Sequence, residues 1–174
     1  MIDKLIPDMY QQSIYTINYK KLKSDGIKCL LFDLDNTCSG YLVKSPSNKL
    51  KKLFLKLEKL GFRIILFSNS SASKLVAYSN LGVILHPSSR KPFKKSFLKI
   101  LNKYNYSSDE VIIIGDQLFT DILGGNRVGI KTCLVDPLTS DDYVFTKIFF
   151  RTWERFVFKR FYKKNILIKG EYYE

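Results

Sequence analysis

Five short, almost uninterrupted apolar runs punctuate the chain: IKCLLF at 27–32, FRIILF at 62–67, VIL at 83–85, VIII at 111–114 and IKTCLV at 130–135. Their length suits strands, and the lack of polar alternation suits burial on both faces, as in a parallel sheet. Between them the periodicity becomes helical. Leu50, Leu53, Phe54, Leu57 and Leu60 form one stripe, with lysines opposite and a stop at Gly61. Phe93, Phe97, Ile100, Leu101 and Tyr104 form another behind Pro92, which fits a first helical turn. The pattern predicts an α/β fold with a five-stranded parallel sheet. At 174 residues, 45% of them hydrophobic, the chain can bury a core of its own.

Several classes fall away. No apolar run is long enough to span a bilayer, and MIDKLIPDMY lacks the apolar stretch of a signal peptide. Cys29, Cys38 and Cys133 are odd in number and show no CxxC pairing, which points to neither a disulfide framework nor a zinc site. A cytoplasmic protein is expected.

The first run ends in LLFDLDNT, leaving Asp33 and Asp35 where a buried strand finishes. In open α/β sheets the carboxyl ends of strands form the ligand crevice. The second run is followed by Ser68 and Asn69, the third by Lys91, and the fourth by Asp116 and Asp121 in GDQLFTD. Singly, Ser68 and Asp116 read as caps, Lys91 as a solvated charge and Asp121 as a first-turn acid. In order, each after a predicted strand, they read as one site.

The residue types suit phosphoryl transfer. A carboxylate attacks an anionic ester only where positive charge offsets their repulsion. Mg²⁺ held by Asp33, a carbonyl of Asp35 and Asp116 would supply that charge. Lys91 and the Ser68 hydroxyl would hold phosphoryl oxygens, and Asp35 would protonate the leaving oxygen and then activate water. Thr37 and Asn69 are expected to orient the site, Asn69 at the phosphate beside Ser68 and Lys91, and Asn126 to brace the metal loop.

Taken together, Asp33-Leu-Asp35-Asn36-Thr37, Ser68, Lys91 and Gly115-Asp116 through Asp121 resemble the four motifs of the haloacid-dehalogenase superfamily. The resemblance implies a Rossmann-like three-layer sandwich, with Asp33 as nucleophile, Asp35 as general acid and base, Asp116 as downstream metal ligand and Asp121 as a support to the metal. PDMYQQS at 7–13, DLDNT and GDQLFTDILGGNRVG are similar to YqeG-type phosphatases and the related phosphatidylglycerophosphate phosphatases. TKIFFRTWER looks like a divergent form of that family's C-terminal segment, and Cys38-Ser39-Gly40 departs from it. The implied organisation is a phosphatase domain at 27–139, an N-terminal extension at 1–26 packed on it, and a basic, aromatic, helical segment at 140–174.

Residues 38–61 and 71–90 leave room for little beyond one helix each, so no cap domain is expected and the crevice should be open. Twenty-nine Lys and Arg against sixteen Asp and Glu give a net charge of +13, which favours polyanionic partners or simply solvated surfaces. Lys147, Arg151, Arg155 and Lys159 would form one helical ridge flanked by Ile148, Phe158 and Tyr162. Phe149, Trp153 and Phe156 would occupy another face, which either docks on the domain or enters a membrane surface. With the resemblance, this favours an anionic phospholipid substrate, phosphatidylglycerophosphate, met at the inner face of a membrane. Alternatives are a soluble, nucleic-acid or protein phosphate, or binding to RNA or ribosomes, although no nucleic-acid motif is present. His86, Arg90 and Arg127 have either substrate-facing or ordinary surface and packing roles.

Overall fold

The computed structural model of the chain describes residues 2–139, 145–168 and 170–174, and the side chains within them except those of 2 and 145–152. Its centre is a parallel sheet built from β1 (Met9–Gln11), β2 (Cys29–Phe32), β3 (Arg63–Phe67), β4 (Ile84–His86), β5 (Val111–Gly115) and β6 (Lys131–Val135). The order is β1-β6-β5-β2-β3-β4, and every neighbouring pair is parallel. Five strands lie where the apolar runs predict them.

The sixth strand corrects the expectation of five. It comes from residues 9–11, in the segment expected only to pack on the domain, and it pairs Met9, Tyr10 and Gln11 with Cys133, Leu134 and Val135. Three residues with no apolar run leave little local trace; the strand is defined by its distant partner. Asp8 fixes its start, accepting from the backbone amide and the hydroxyl of Thr132 at 2.8 and 2.9 Å.

Helices cover both faces, as buried strands require. Leu30, Phe32, Ile64, Leu66, Ile112 and Ile114 point to one layer, which holds α1 (Tyr19–Ser24), α2 (Asn48–Lys59) and α3 (Ala72–Val76). Leu31, Ile65, Phe67, Val111 and Ile113 point to the other, against Phe97, Ile100 and Leu101 of α4 (Lys94–Tyr104). The alternation is the two-residue period of a strand. α5 (Leu123–Val128) lies so close to α4 that a Cβ on Gly124 would come within 2.5 Å of the Phe97 ring. α2 is capped by Ser47, whose hydroxyl accepts from the Leu50 amide at 3.1 Å, and it ends before Gly61 at φ +79°. α4 begins at Lys94, so Pro92 lies in the preceding turn and not in the helix, where the Phe93 amide donates to the Arg90 carbonyl at 3.0 Å.

α6 (Phe145–Lys163) closes the β1–β6 edge through Val157 and Phe161, which are buried with Tyr10, Leu118, Ile122 and Leu134. Trp153 and Phe156 are exposed. The docking stripe therefore runs through Glu154, Val157 and Phe161, and not through the Trp153–Phe156 face. Lys147, Ile148, Phe149 and Arg151 lie outside the residues whose side chains are described. No described helix is long and apolar enough to cross a membrane.

Candidate active site

β2 and β5 are neighbours, although two other strands intervene in sequence. The strand order reverses between them, and a crevice opens at their carboxyl ends. Asp33 leaves β2, its amide still donating to the Ile114 carbonyl at 2.9 Å, and Asp116 leaves β5 directly alongside. Asp33, Asp116 and Asp121 are buried, and carboxylate oxygens of the three lie within 4.8 Å of one another.

Lys91 lies within reach of two of them. Its ammonium is 2.6 Å from Asp33 Oδ1 and 2.6 Å from Asp121 Oδ1, with 2% of its side chain exposed. Burial alone would lower its pKa, but Asp121 and Asp33 outweigh that and keep it cationic. The backbone of Lys91 is clamped by Asn69, which accepts from its amide at 2.7 Å and donates to its carbonyl at 3.1 Å. Asn69 thus fixes the backbone from which the lysine reaches the acids. Ser68 is buried at the end of β3 and its hydroxyl accepts from the Ser70 amide at 3.1 Å, while Ser89 donates to the Ser68 carbonyl at 2.8 Å.

Asp121 reaches the crevice because Gly115 has no side chain. A Cβ there would stand 2.3 Å from Asp121 Cγ. The acid is completely buried on a π-helical turn (Leu118–Ile122), and the Gln117 amide and Thr120 hydroxyl donate to its Oδ2 at 3.3 Å each. Thr37 donates to Asp116 Oδ1 at 3.0 Å, so the first loop braces the last acid.

Three carboxylates less one ammonium leave a formal surplus of two negative charges in a buried space. Burial, the Asp121 charge and the Asp35 charge raise the Asp33 carboxyl to about 6, against the opposing pull of Lys91. Asp116 is raised well above the usual carboxylate range by burial and then by Asp33, Asp121 and Glu154. A hard divalent cation would neutralise that surplus, and an all-oxygen donor set suits one. The residues present therefore fit a Mg²⁺-type ion.

Asp35 has separate partners. Its carboxylate forms an ion pair with Lys74 and accepts from the Ser70 hydroxyl, and Lys74 also donates to the Tyr41 carbonyl at 2.7 Å. Its side chain is not among the three clustered carboxylates. No spacing rule in the sequence links Lys74 or Ser70 to Asp35; the turn after β3 and the start of α3 bring them there. Glu154 is a further unanticipated acid, lining with Asp116, Arg155, Phe158, Lys159 and Tyr162 a cavity of about 380 Å³.

Asn126 does not join the site, contrary to the expected bracing role. Its amide donates to the Lys4 and Ile6 carbonyls at 3.0 and 2.8 Å and accepts from Thr132, tying the N-terminal segment to the opposite end of β6. Asn36 occupies the left-handed region at φ +61° and accepts from the Leu138 amide and the Thr139 hydroxyl at 2.9 Å each, which joins the β2 and β6 loops. Arg127 donates to the Pro92 carbonyl at 3.4 Å, His86 packs 5.1 Å from the Phe67 ring, and Arg90 is exposed.

Comparison with known proteins agrees with this geometry. A family model described as "HAD-hyrolase-like" matches residues 88–137. The chain is 32% identical over 161 residues to "Probable phosphatase YqeG" of Bacillus subtilis (strain 168), across 92% of this chain and 93% of that protein. It is 29% identical over 163 residues to "Phosphatidylglycerophosphate phosphatase 1, chloroplastic" of Chlamydomonas reinhardtii, across 87% of this chain but 60% of the longer algal protein. Among solved structures, an uncharacterized protein from Listeria monocytogenes serotype 4b superposes with a TM-score of 0.55 at 19% identity, covering 68% of this chain and 85% of that one. The 3-deoxy-D-manno-octulosonate 8-phosphate phosphatase of Yersinia pestis does so with a TM-score of 0.52 at 19% identity, covering 67% and 68%. At such identities the structural likeness bears on fold alone.

Proposed function

This chain belongs to the YqeG-type phosphatases of the haloacid-dehalogenase superfamily, and we propose that it is a Mg²⁺-dependent phosphomonoesterase that hydrolyses phosphatidylglycerophosphate to phosphatidylglycerol through an aspartyl-phosphate. The observation that carries the chemistry is the meeting of Asp33, Lys91, Asp116 and Asp121 at one buried strand-end crevice.

In this reading Asp33 attacks phosphorus while the ester P–O bond breaks, and a protonated Asp35 gives its proton to the departing alkoxide. That leaves Asp35 ionised, the form in which Lys74 and Ser70 hold it. It then takes a proton from the water that attacks the phosphoenzyme, and Asp33 and inorganic phosphate are released. Lys91, steered by Asn69, and the Ser68 hydroxyl stabilise the charge on the transferred group. Mg²⁺ held by Asp33, Asp116 and the Asp35 carbonyl would offset phosphate charge during both displacements, with Asp121 supporting it.

The choice of lipid is supported by the similarity to the algal phosphatidylglycerophosphate phosphatase and by crossovers that carry α2 alone between β2 and β3, and α3 with one short 3₁₀ turn between β3 and β4. In this reading such connections leave the crevice open to a substrate anchored at the cytoplasmic surface of a membrane. The test is phosphate release from phosphatidylglycerophosphate in mixed micelles, beside soluble phosphomonoesters and phosphorylated oligonucleotides, with Mg²⁺ or with chelator. Preference for the lipid, loss with chelator and loss in Asp33→Asn are expected. Preference for a soluble or nucleic-acid phosphate would overturn the substrate, and full activity in Asp33→Asn would overturn the mechanism.

A further inference from the structure

Four exposed acids lie at one end of the sheet, and five exposed apolar groups stand on segments that leave the other. Asp8, Asp25, Glu58 and Asp109 are exposed and lie just ahead of β1, β2, β3 and β5, at the amino ends of the strands. In the segments that leave the carboxyl ends, 33–47, 68–76, 87–95, 116–122 and 136–139, no Asp or Glu is exposed. Asp33, Asp35, Asp116 and Asp121 are buried, and Asp136 is half-buried, accepting from the Tyr10 and Tyr172 hydroxyls. The same segments expose Lys44, Arg90, Lys94 and Lys95.

Large apolar side chains interrupt these cations. Leu42 is 69% exposed, Val43 45% and Phe93 64%, with Val76 and Leu138 also open to solvent. They stand on the segments leaving β2, β3, β4 and β6, so they surround the crevice and do not form a stripe on one helix. Leu42 and Val43 follow directly on Tyr41, whose carbonyl Lys74 bridges to Asp35. Apolar groups scattered singly over a surface need no explanation. Their gathering at a rim that, among the described residues of these segments, exposes cations and no acid does.

We propose that this rim is a membrane-docking face. Leu42, Val43 and Phe93 enter the headgroup layer of an anionic bilayer, Lys44, Arg90 and Lys94 contact its phosphates, and the crevice faces the membrane. The proposal deepens the lipid reading given above, but it assigns the contact to strand-end loops and not to the basic ridge of α6. Each Lys or Arg near such a surface contributes about fivefold in partitioning, and apolar insertion adds to it.

The test is cosedimentation of the intact protein with vesicles of phosphatidylcholine alone or mixed with phosphatidylglycerol. Wild type should bind the anionic vesicles and leave the neutral ones. Combined Leu42→Ser, Val43→Ser and Phe93→Ser, and separately Lys44→Gln, Arg90→Gln and Lys94→Gln, should each weaken binding by about tenfold or more, with turnover of a soluble phosphomonoester unchanged. Leu55→Ser, which alters an exposed residue on α2, should leave binding intact. Binding that ignores the rim, an equal loss in Leu55→Ser, no vesicle binding, or capture of RNA in place of vesicles by the same residues would overturn the proposal. Rim-dependent vesicle binding without activity on micellar phosphatidylglycerophosphate would instead overturn the substrate reading and leave this face standing.

Discussion

Gly115 and Asp121 share a space that admits no further atom: a Cβ on the glycine would lie 2.3 Å from the carboxyl carbon of the acid. Gly115→Ala must push Asp121 away from Lys91 or shift β5. The expected cost is about 1–3 kcal/mol in stability and a fall in turnover on the order of a hundredfold, since a small misplacement at a reacting centre is costly. Urea unfolding and phosphate release on the same preparation would check both, and an alanine variant with wild-type turnover would show that the close approach has no catalytic consequence.

The metal-free protein should prefer acid. The Asp33 carboxyl is raised from 3.8 to about 6, first by burial, and Asp116 moves the same way. A folded-state value above the unfolded one means that protonation stabilises the fold. That contribution is complete below the unfolded value and is lost as pH rises through the folded one. Chelator-treated protein should therefore lose thermal stability between about pH 4 and pH 7, and Mg²⁺ should restore most at the upper end. Asp33→Asn should flatten the slope; an unchanged slope would assign it to other groups.

Lys74 is expected to position Asp35 for both proton transfers. Lys74→Met should lower kcat by about ten- to a hundredfold, a partial loss of the roughly hundred- to ten-thousandfold that a general acid and base contributes. Little change is expected in KM for a soluble phosphomonoester, and Lys74→Arg should recover part of the loss. A rise in KM at constant kcat would mean that the lysine binds substrate instead.

Two aromatic residues on α6 should behave oppositely. Phe161 is fully buried against the β1–β6 edge, whereas Phe156 is 64% exposed. Phe161→Ala should cost about 3–5 kcal/mol in urea unfolding, and Phe156→Ser should stay within about 0.5 kcal/mol. Equal effects would place the docking stripe elsewhere.

What the sequence disclosed, and what it withheld, follows range along the chain. Strands β2, β3, β5 and β6 were legible because burial on both faces writes a continuous apolar run into each, and β4, half-buried at the sheet edge, still carries the short run VIL. Asp33, Asp35, Ser68, Lys91, Asp116 and Asp121 were legible as residues that each follow such a run. Strand β1 was not, because three residues acquire their identity from Cys133, Leu134 and Val135 far downstream. The same limit concealed Lys74 and Ser70 beside Asp35, and it hid the attachment of Asn126 to Lys4 and Ile6. On α6, Phe, Trp and basic residues occur all round the helix, so composition alone did not identify the buried face.

The pairing of Met9–Gln11 with Cys133–Val135 sets a timetable for biosynthesis. At about 5–20 residues per second, translation takes roughly 6–25 s to pass from one segment to the other. Throughout that interval Met9 and Tyr10 lack β6, the strand they pair with, and the edge that receives α6 is unmade. The nascent chain therefore carries β1 unpaired until β6 is made, and α6, translated after β6, covers the side that the two strands form together.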